Sequence, residues 1–299
     1  MHIVILGAGA IGSVYGARLS TVHDVVLVAR GPHAEAINRD GLRVTGAEER
    51  TYRLRAVTRL ESLPPDALIV LTTKVSDTDT ACAGVRHLLR GDSTILCVQN
   101  GLYSEAIARS AVGDRCPVLR AITHFGAIFH TPGVVELKVA ASTSIEQSER
   151  SAAIADAFTR CGLEARVTGR IKDEMWEKLV VNCVINPINA MTRTAVGAIA
   201  DPRLGPLKSL IVGECRRVAE RDGVELRADF VAYIDARYGP STNLSSMQQD
   251  LLKGRRTEID HLNGAVVELG AKYGIACPVN QALTMIIKAM ESAAQASPS

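Results

Sequence analysis

At 299 residues, 47% hydrophobic and 22% charged, the chain is long enough to bury a large core and, at roughly 100–200 residues per domain, to form two domains. Its formal net charge of +2, without a long basic run, argues against nucleic acid or an acidic membrane surface as the main partner and favours a small molecule. Seven cysteines, an odd number with no Cys-x-x-Cys, fit reduced thiols in the cytoplasm better than a disulfide framework or a zinc site, and no metal is expected.

Met1 leads into a short apolar strand, HIVIL, with no basic segment followed by a signal-type apolar stretch, so export is not expected. Gly7-Ala8-Gly9-Ala10-Ile11-Gly12 follows, opening an Ala/Gly-rich helix from Ile11 that leads to a second strand, DVVLVA. A G-x-G-x-x-G run is weak alone, but between a strand and a helix it is a dinucleotide-binding fingerprint. The first glycine permits the tight turn, the second lets a pyrophosphate approach the backbone, and the third lets helix and strand pack closely. Arg30 ends the second strand, about 20 residues beyond the fingerprint, where an acidic residue would hold the ribose of NAD. A guanidinium there suits the 2′-phosphate of NADP.

GLRVTG and TYRLRAV read as a small hairpin. ALIVLTT, TILCVQ and PVLRAIT are continuous apolar runs separated by helical stretches, the pattern of a parallel sheet covered on both faces. A doubly wound α/β domain is therefore expected. Lys74 and Asn100 stand just beyond two of these strands, and the ligand crevice of an open α/β sheet lies outside the carboxyl ends of its strands. GVVELKVA with STSIEQ reads as a later antiparallel addition at the sheet's edge.

The strand signal stops near Thr168–Arg170, which divides the chain into domains of residues 1–169 and 170–299. Helices are expected at 171–195, 203–222, about 228–238, 243–253, 258–273 and 279–294, punctuated by glycines such as Gly223, Gly254 and Gly274. No apolar run is long enough to span a bilayer, and the tail SAAQASPS is expected to fray.

The first of these helices carries an unusual polar ladder, Lys178, Asn182 and Asn186, inside the apolar run WEKLVVNCVINPINA. Side chains at i, i+4 and i+8 drift only about 40° per step, so the three share one face. An ammonium and two amides on a helix apolar nearly all round need partners, and such a face marks a candidate site. At about 1.5 Å rise per residue, Lys178 and Asn186 lie roughly 12 Å apart, so the residues act as a line rather than a single grip. Pro187 removes the hydrogen bond to the Cys183 carbonyl and disfavours helical geometry at Asn186, which predicts a kink there. Farther on, Asn243 and Ser245 fit helix caps, and Thr257 with Asp260 fits a capping box that leaves Glu258 unexplained.

Taken together, GAGAIG, Lys74, QNG at 99–101, ITHFGA at 122–127, WEKLVVNCVINPINA, SSMQQD and RRTEID resemble the ketopantoate reductase (2-dehydropantoate 2-reductase) family over nearly the whole chain. The resemblance implies a Rossmann-type NADPH-binding domain joined to an all-α domain like the C-terminal domain of 6-phosphogluconate dehydrogenase. It implies NADPH-dependent reduction of 2-dehydropantoate to pantoate in pantothenate synthesis, by a monomer or homodimer. Carried over by motif, Lys178 is the general acid, Asn182, Asn186 and Ser246 hold substrate, and Asn100 serves substrate and cofactor. Glu258 falls at a cofactor contact, and Gly126 takes a backbone position that often carries alanine. Val196 replaces an asparagine of the best-known relatives. The same plan also suits a reductase of another 2-oxo acid or lactone, and an NADP-binding redox sensor is a third reading.

Overall fold

The computed structural model describes residues 1–139 and 142–296. Ala140, at the end of GVVELKVA, and residues 297–299 of the expected frayed tail lie outside them. The chain divides into two compact units, one of residues 1–99 with 103–171, the other of Asn100–Leu102 with the chain from Lys172 on.

The first unit begins β1 (His2–Leu6), α1 (Ala10–Leu19), β2 (Asp24–Val28), α2 (Gly31–Asp40), β3 (Leu42–Gly46), β4 (Arg50–Tyr52), β5 (Arg55–Val57) and β6 (Leu68–Leu71). It continues through α3 (Thr78–Val85), β7 (Thr94–Cys97), α4 (Ser104–Val112), β8 (Val118–Thr123), β9 (Gly126–Thr131) and β10 (Val134–Val139). It closes with β11 (Thr143–Glu146), α5 (Ser151–Arg160) and β12 (Ala165–Thr168). The main sheet has eight strands in the order β12-β11-β8-β7-β6-β1-β2-β5, and β5 through β8 in that row are parallel. Residues alternate between its faces: Ile3 and Ile5 pack with α1 and α5, Val4 and Leu6 with Cys82 of α3 and Ala108 of α4. Burial on both faces explains why these strands read as unbroken apolar runs.

Two sequence expectations are corrected here. TYRLRAV is not one strand: β4 pairs antiparallel with β3, whereas β5 leaves the hairpin and pairs parallel with β2 at the edge of the main sheet. The side chain of Asn38 brackets that edge, donating to the Ala56 carbonyl at 2.8 Å and accepting from its N–H at 2.9 Å. An amide thus takes the place of a further strand and blunts an exposed edge. GVVELKVA and STSIEQ are not partners either. β10 joins a second, four-stranded sheet, β4-β3-β10-β9, while β11 pairs antiparallel with β8 and is covered by β12, so it is not the edge.

The second unit is helical: α6 (Ile171–Thr192), α7 (Gly205–Arg221), α8 (Phe230–Tyr238), α9 (Ser246–Leu252), α10 (Asn263–Lys272) and α11 (Pro278–Ala296). Asp173 and Glu174 complement the dipole of the first turn of α6. Trp176, fully buried, donates to Asp222 at 2.8 Å. Burying each such large side chain contributes roughly 1.5–3 kcal/mol, which offsets the modest helix propensity of the Val/Ile run. The helix continues through Pro187 without a break, so the expected kink does not interrupt it. The expected helix at 258–273 is divided: residues Ile259–His261 form a short 3₁₀ turn, and Leu262, at φ −108° and ψ −99°, separates it from α10. Thr257 and Asp260 form no reciprocal box. The Thr257 N–H and hydroxyl both donate to Glu291, the hydroxyl accepts from Ile259 N–H, and Asp260 pairs with Arg256 and Lys288. A carboxylate from α11 has taken the partner that the local motif would have supplied.

Among the described residues no helix is long and apolar enough to cross a membrane, and no group of His, Cys, Asp and Glu has the makings of a metal site. All seven cysteines are free and buried.

Candidate active site

In the first unit, strand order reverses beside β1: the chain steps from β1 to β2 on one side and returns to β6 on the other. The fingerprint lies at that switch point. Gly7 and Ala8 donate their N–H groups to the Val28 carbonyl at 3.2 and 2.9 Å, which ties the loop to the end of β2. Gly7 has φ +106°, and a Cβ on it would lie 2.6 Å from the Thr73 nitrogen. A Cβ on Gly12 would lie 2.5 Å from Thr72 Oγ1 and 2.6 Å from the Gly7 carbonyl. Gly9, by contrast, has nothing within 4 Å of the place a Cβ would take. It also caps α1, whose first amides, at Ala10, Ile11 and Gly12, point out of the helix end without intrahelical acceptors. Open space beside outward N–H groups at a positive helix end is what an anion requires.

Arg30 stands two residues beyond β2 as the N-cap of α2, exposed and with no side-chain hydrogen bond or ion pair to a described residue. Its guanidinium is free for an incoming anion. One turn along α2, buried His33 joins the same layers. Its Nδ1 accepts from the Gly133 N–H at 2.9 Å and its Nε2 lies 3.0 Å from Ser13 Oγ on α1. Because a backbone N–H fixes Nδ1 as an acceptor, the ring is neutral with its proton on Nε2. Burial lowers its pKa from the ordinary 6.5.

The β6 and β7 ends are joined by Gln99, whose amide nitrogen donates to the Thr73 carbonyl at 3.0 Å and to the hydroxyls of Thr73 and Thr78 at 3.1 and 2.7 Å. Buried Arg120 in turn donates to the Gln99 carbonyl at 2.8 Å and pairs with Glu105. Lys74, half-buried, follows Thr73 and opens a short 3₁₀ turn. Gly126 begins β9 and pairs with Val139. The sequence reading used only Asn100 of the QNG motif. Gln99 and Arg120 were missed, and their only signal was polarity inside apolar strands.

In the second unit α6 presents Lys178 and Asn182 half-buried and Asn186 95% buried. Neither asparagine amide hydrogen-bonds to a described residue. Side-chain amides not engaged by the protein are available to a ligand's polar groups. Asn100 donates to Glu258 at 3.0 Å and so joins two candidates from distant parts of the chain. Gly101 has φ +83°, and a Cβ there would lie 2.8 Å from the His261 carbonyl, which accounts for the glycine of the QNG motif. Ser245 caps α9 through a bond from Gln248 N–H, as expected, and leaves the next hydroxyl, Ser246, exposed in the first turn. Val196 is buried at the start of a 3₁₀ segment, where it offers no polar group.

A glycine-rich loop at the switch point of a parallel sheet, in a chain whose helical unit carries a lysine and two uncommitted amides on one face, defines a dinucleotide-dependent oxidoreductase. The chain belongs to the ketopantoate reductase PanE/ApbA family, which it matches over residues 3–150, with the family's C-terminal part matched over 170–291. It is 36% identical to a 2-dehydropantoate 2-reductase of Pyrococcus horikoshii across 98% of both chains. It is 32% identical to one of Vibrio cholerae over 97% of this chain and 98% of that one. Among solved structures, a PanE/ApbA family ketopantoate reductase from Ralstonia eutropha superimposes with a TM-score of 0.91 at 29% identity, covering 99% of this chain and 100% of that one. D-mandelate dehydrogenase, solved with NADH and anilino(oxo)acetate, gives the same TM-score at 27% identity and the same coverage.

Proposed function

We propose that this protein reduces 2-dehydropantoate to (R)-pantoate with NADPH, in the synthesis of pantothenate. The observation that carries the reading is the polar face of α6: a lysine and two asparagines whose amides have no partner among the described residues, in a chain similar to 2-dehydropantoate 2-reductases over nearly its whole length.

The cofactor's place is supported by the open space at Gly9, the outward amides at Ala10, Ile11 and Gly12, and the unpaired Arg30. Residues 1–169 hold it, with Gly7, Ala8 and Lys74 about the phosphates and Gly126, Asn100 and Glu258 as further contacts, and residues 170–299 supply the substrate groups. When bound, the nicotinamide supplies a hydride to the C2 carbonyl carbon. Lys178 donates a proton to the oxygen on which charge develops, and the Asn182 amide donates a hydrogen bond to the same end. Asn186, roughly 12 Å along the helix, holds a distant polar group of the substrate with Ser246. The Asn100–Glu258 hydrogen bond keeps both side chains oriented.

A second reading, another 2-oxo acid as substrate, is favoured by the equal TM-score to D-mandelate dehydrogenase and by Val196. Turnover of 2-dehydropantoate and a panel of aliphatic and aromatic 2-oxo acids with NADPH decides between them. The highest kcat/KM for 2-dehydropantoate is expected, and a preference for an aromatic 2-oxo acid sinks the specific assignment. For the cofactor, Arg30→Ala is expected to raise KM for NADPH about 10- to 100-fold while leaving that for NADH nearly unchanged. Equal losses with both cofactors remove the argument for NADP.

A further inference from the structure

Pro187 has no N–H, so the Cys183 carbonyl, one turn earlier on α6, lacks its intrahelical donor. Asn263, fully buried at the start of α10, donates to that carbonyl at 3.0 Å. The same amide nitrogen donates to Asn280 Oδ1 at 2.9 Å, and Asn280 Nδ2 donates to Glu214 Oε2 at 2.7 Å. Glu214 is 96% buried and also accepts the Val279 and Asn280 N–H groups, both at 2.9 Å, at the start of α11. The chain of bonds has one possible direction. An ionised carboxylate only accepts, so Asn280 must turn its NH₂ to Glu214 and its oxygen to Asn263, and Asn263 must then turn its NH₂ to both acceptors.

The restored carbonyl belongs to the stretch of α6 between Asn182 and Asn186. Cys183 follows Asn182 directly and precedes Asn186 by three residues, and α6 stays helical through Pro187. Asn263 also lies five residues beyond Glu258, so one amide ties α6 to the segment that carries the carboxylate bound to Asn100. We propose that Asn263, oriented by Asn280 and Glu214, is a positioning residue: it supplies the hydrogen bond that Pro187 denies α6 and so sets Asn182 and Asn186 for the substrate. This rests on the reading of α6 as the substrate face.

The test is a cycle of N263L, P187A and the double variant. N263L is expected to raise KM for the 2-oxo acid about tenfold and to lower kcat, with the NADPH dissociation constant unchanged. P187A returns an N–H to position 187 and stays close to the wild-type kinetics. The double variant recovers most of the lost KM, because the Cys183 carbonyl regains an intrahelical donor. If N263L lowers the melting temperature but leaves KM and kcat alone, or if P187A brings no recovery, the positioning role is overturned. If the wild type turns over no 2-oxo acid, the functional reading fails separately, and hydrogen–deuterium exchange across residues 182–188 decides the structural claim. Exchange there quickens in N263L and slows again in the double variant, and unchanged exchange overturns it.

Discussion

The two units build their candidate groups from different materials. In the first, the candidate groups are mostly backbone: amides at the start of α1, a turn shaped by Gly7 and Gly12, and strand ends tied by Gln99 and Arg120. In the second, they are side chains on a regular helix, and nothing in the helix backbone distinguishes Lys178 from its neighbours. A backbone site is specified by what must be absent, above all a Cβ. A side-chain site is specified by what is present and by how its surroundings hold it. The close approaches of the first leave no room for a Cβ at Gly7 or Gly12, whereas the side chains of the second stand on a helix that any helix-forming residue can continue.

The sharpest way to break this contrast is Lys178→Ala. Removing a general acid is expected to lower kcat about 10³-fold with NADPH affinity intact by fluorescence titration. An unaffected kcat would return the protein to the non-catalytic, NADP-sensing reading. A paired substitution in the first unit comes next. Gly12→Ala forces a methyl against Thr72 and the Gly7 carbonyl and is expected to cost about 1–3 kcal/mol in a denaturant melt. Gly9→Val, whose Cβ would have no protein atom within 4 Å, should keep wild-type stability and weaken NADPH about tenfold or more. If Gly9→Val unfolds the protein or binds NADPH normally, the open space beside Gly9 is not the phosphate cradle.

The smallest effect concerns pH. His33 has a lowered pKa because it is buried, so the folded state binds fewer protons than the unfolded chain. Its contribution to stability is complete above the unfolded value of about 6.5 and is lost as pH falls through that value toward the lower folded one. His23, also lowered by burial, acts in the same direction. The melting temperature is expected to fall between pH 7 and pH 5, and His33→Gln to flatten part of that fall by a few degrees. A parallel slope in the variant would show that protonation of His33 is not resisted by the fold.

Much of the molecule was legible from local pattern. The parallel strands announced themselves because burial on both faces leaves no polar alternation, and the helices of the second unit because glycines and caps mark their ends. What was misread had its reason elsewhere in the chain. β5 parted from β4 because Ala56 finds Asn38 of α2, and the capping box at Thr257 gave way to Glu291, 34 residues on. β9 and β12 escaped notice because Ala127 and Phe129 are only partly buried and Arg166 and Val167 face solvent, so neither strand keeps a clear apolar rhythm.

The polar ladder shows the same division within one element. Its spacing alone placed Lys178, Asn182 and Asn186 on one face, since a helix repeats at fixed rotation per residue. The sequence also determined that Pro187 would strip the Cys183 carbonyl of its donor, because that follows from proline's covalent structure. Only the tertiary structure decided what replaced it. Asn263 lies 80 residues away in sequence, and its buried amide, linked through Asn280 to Glu214, donates to that carbonyl. Covalent chemistry and helical periodicity act within a few residues and can be read along the chain. The pairing of distant polar groups depends on which helices pack together, and that is fixed only when the core closes.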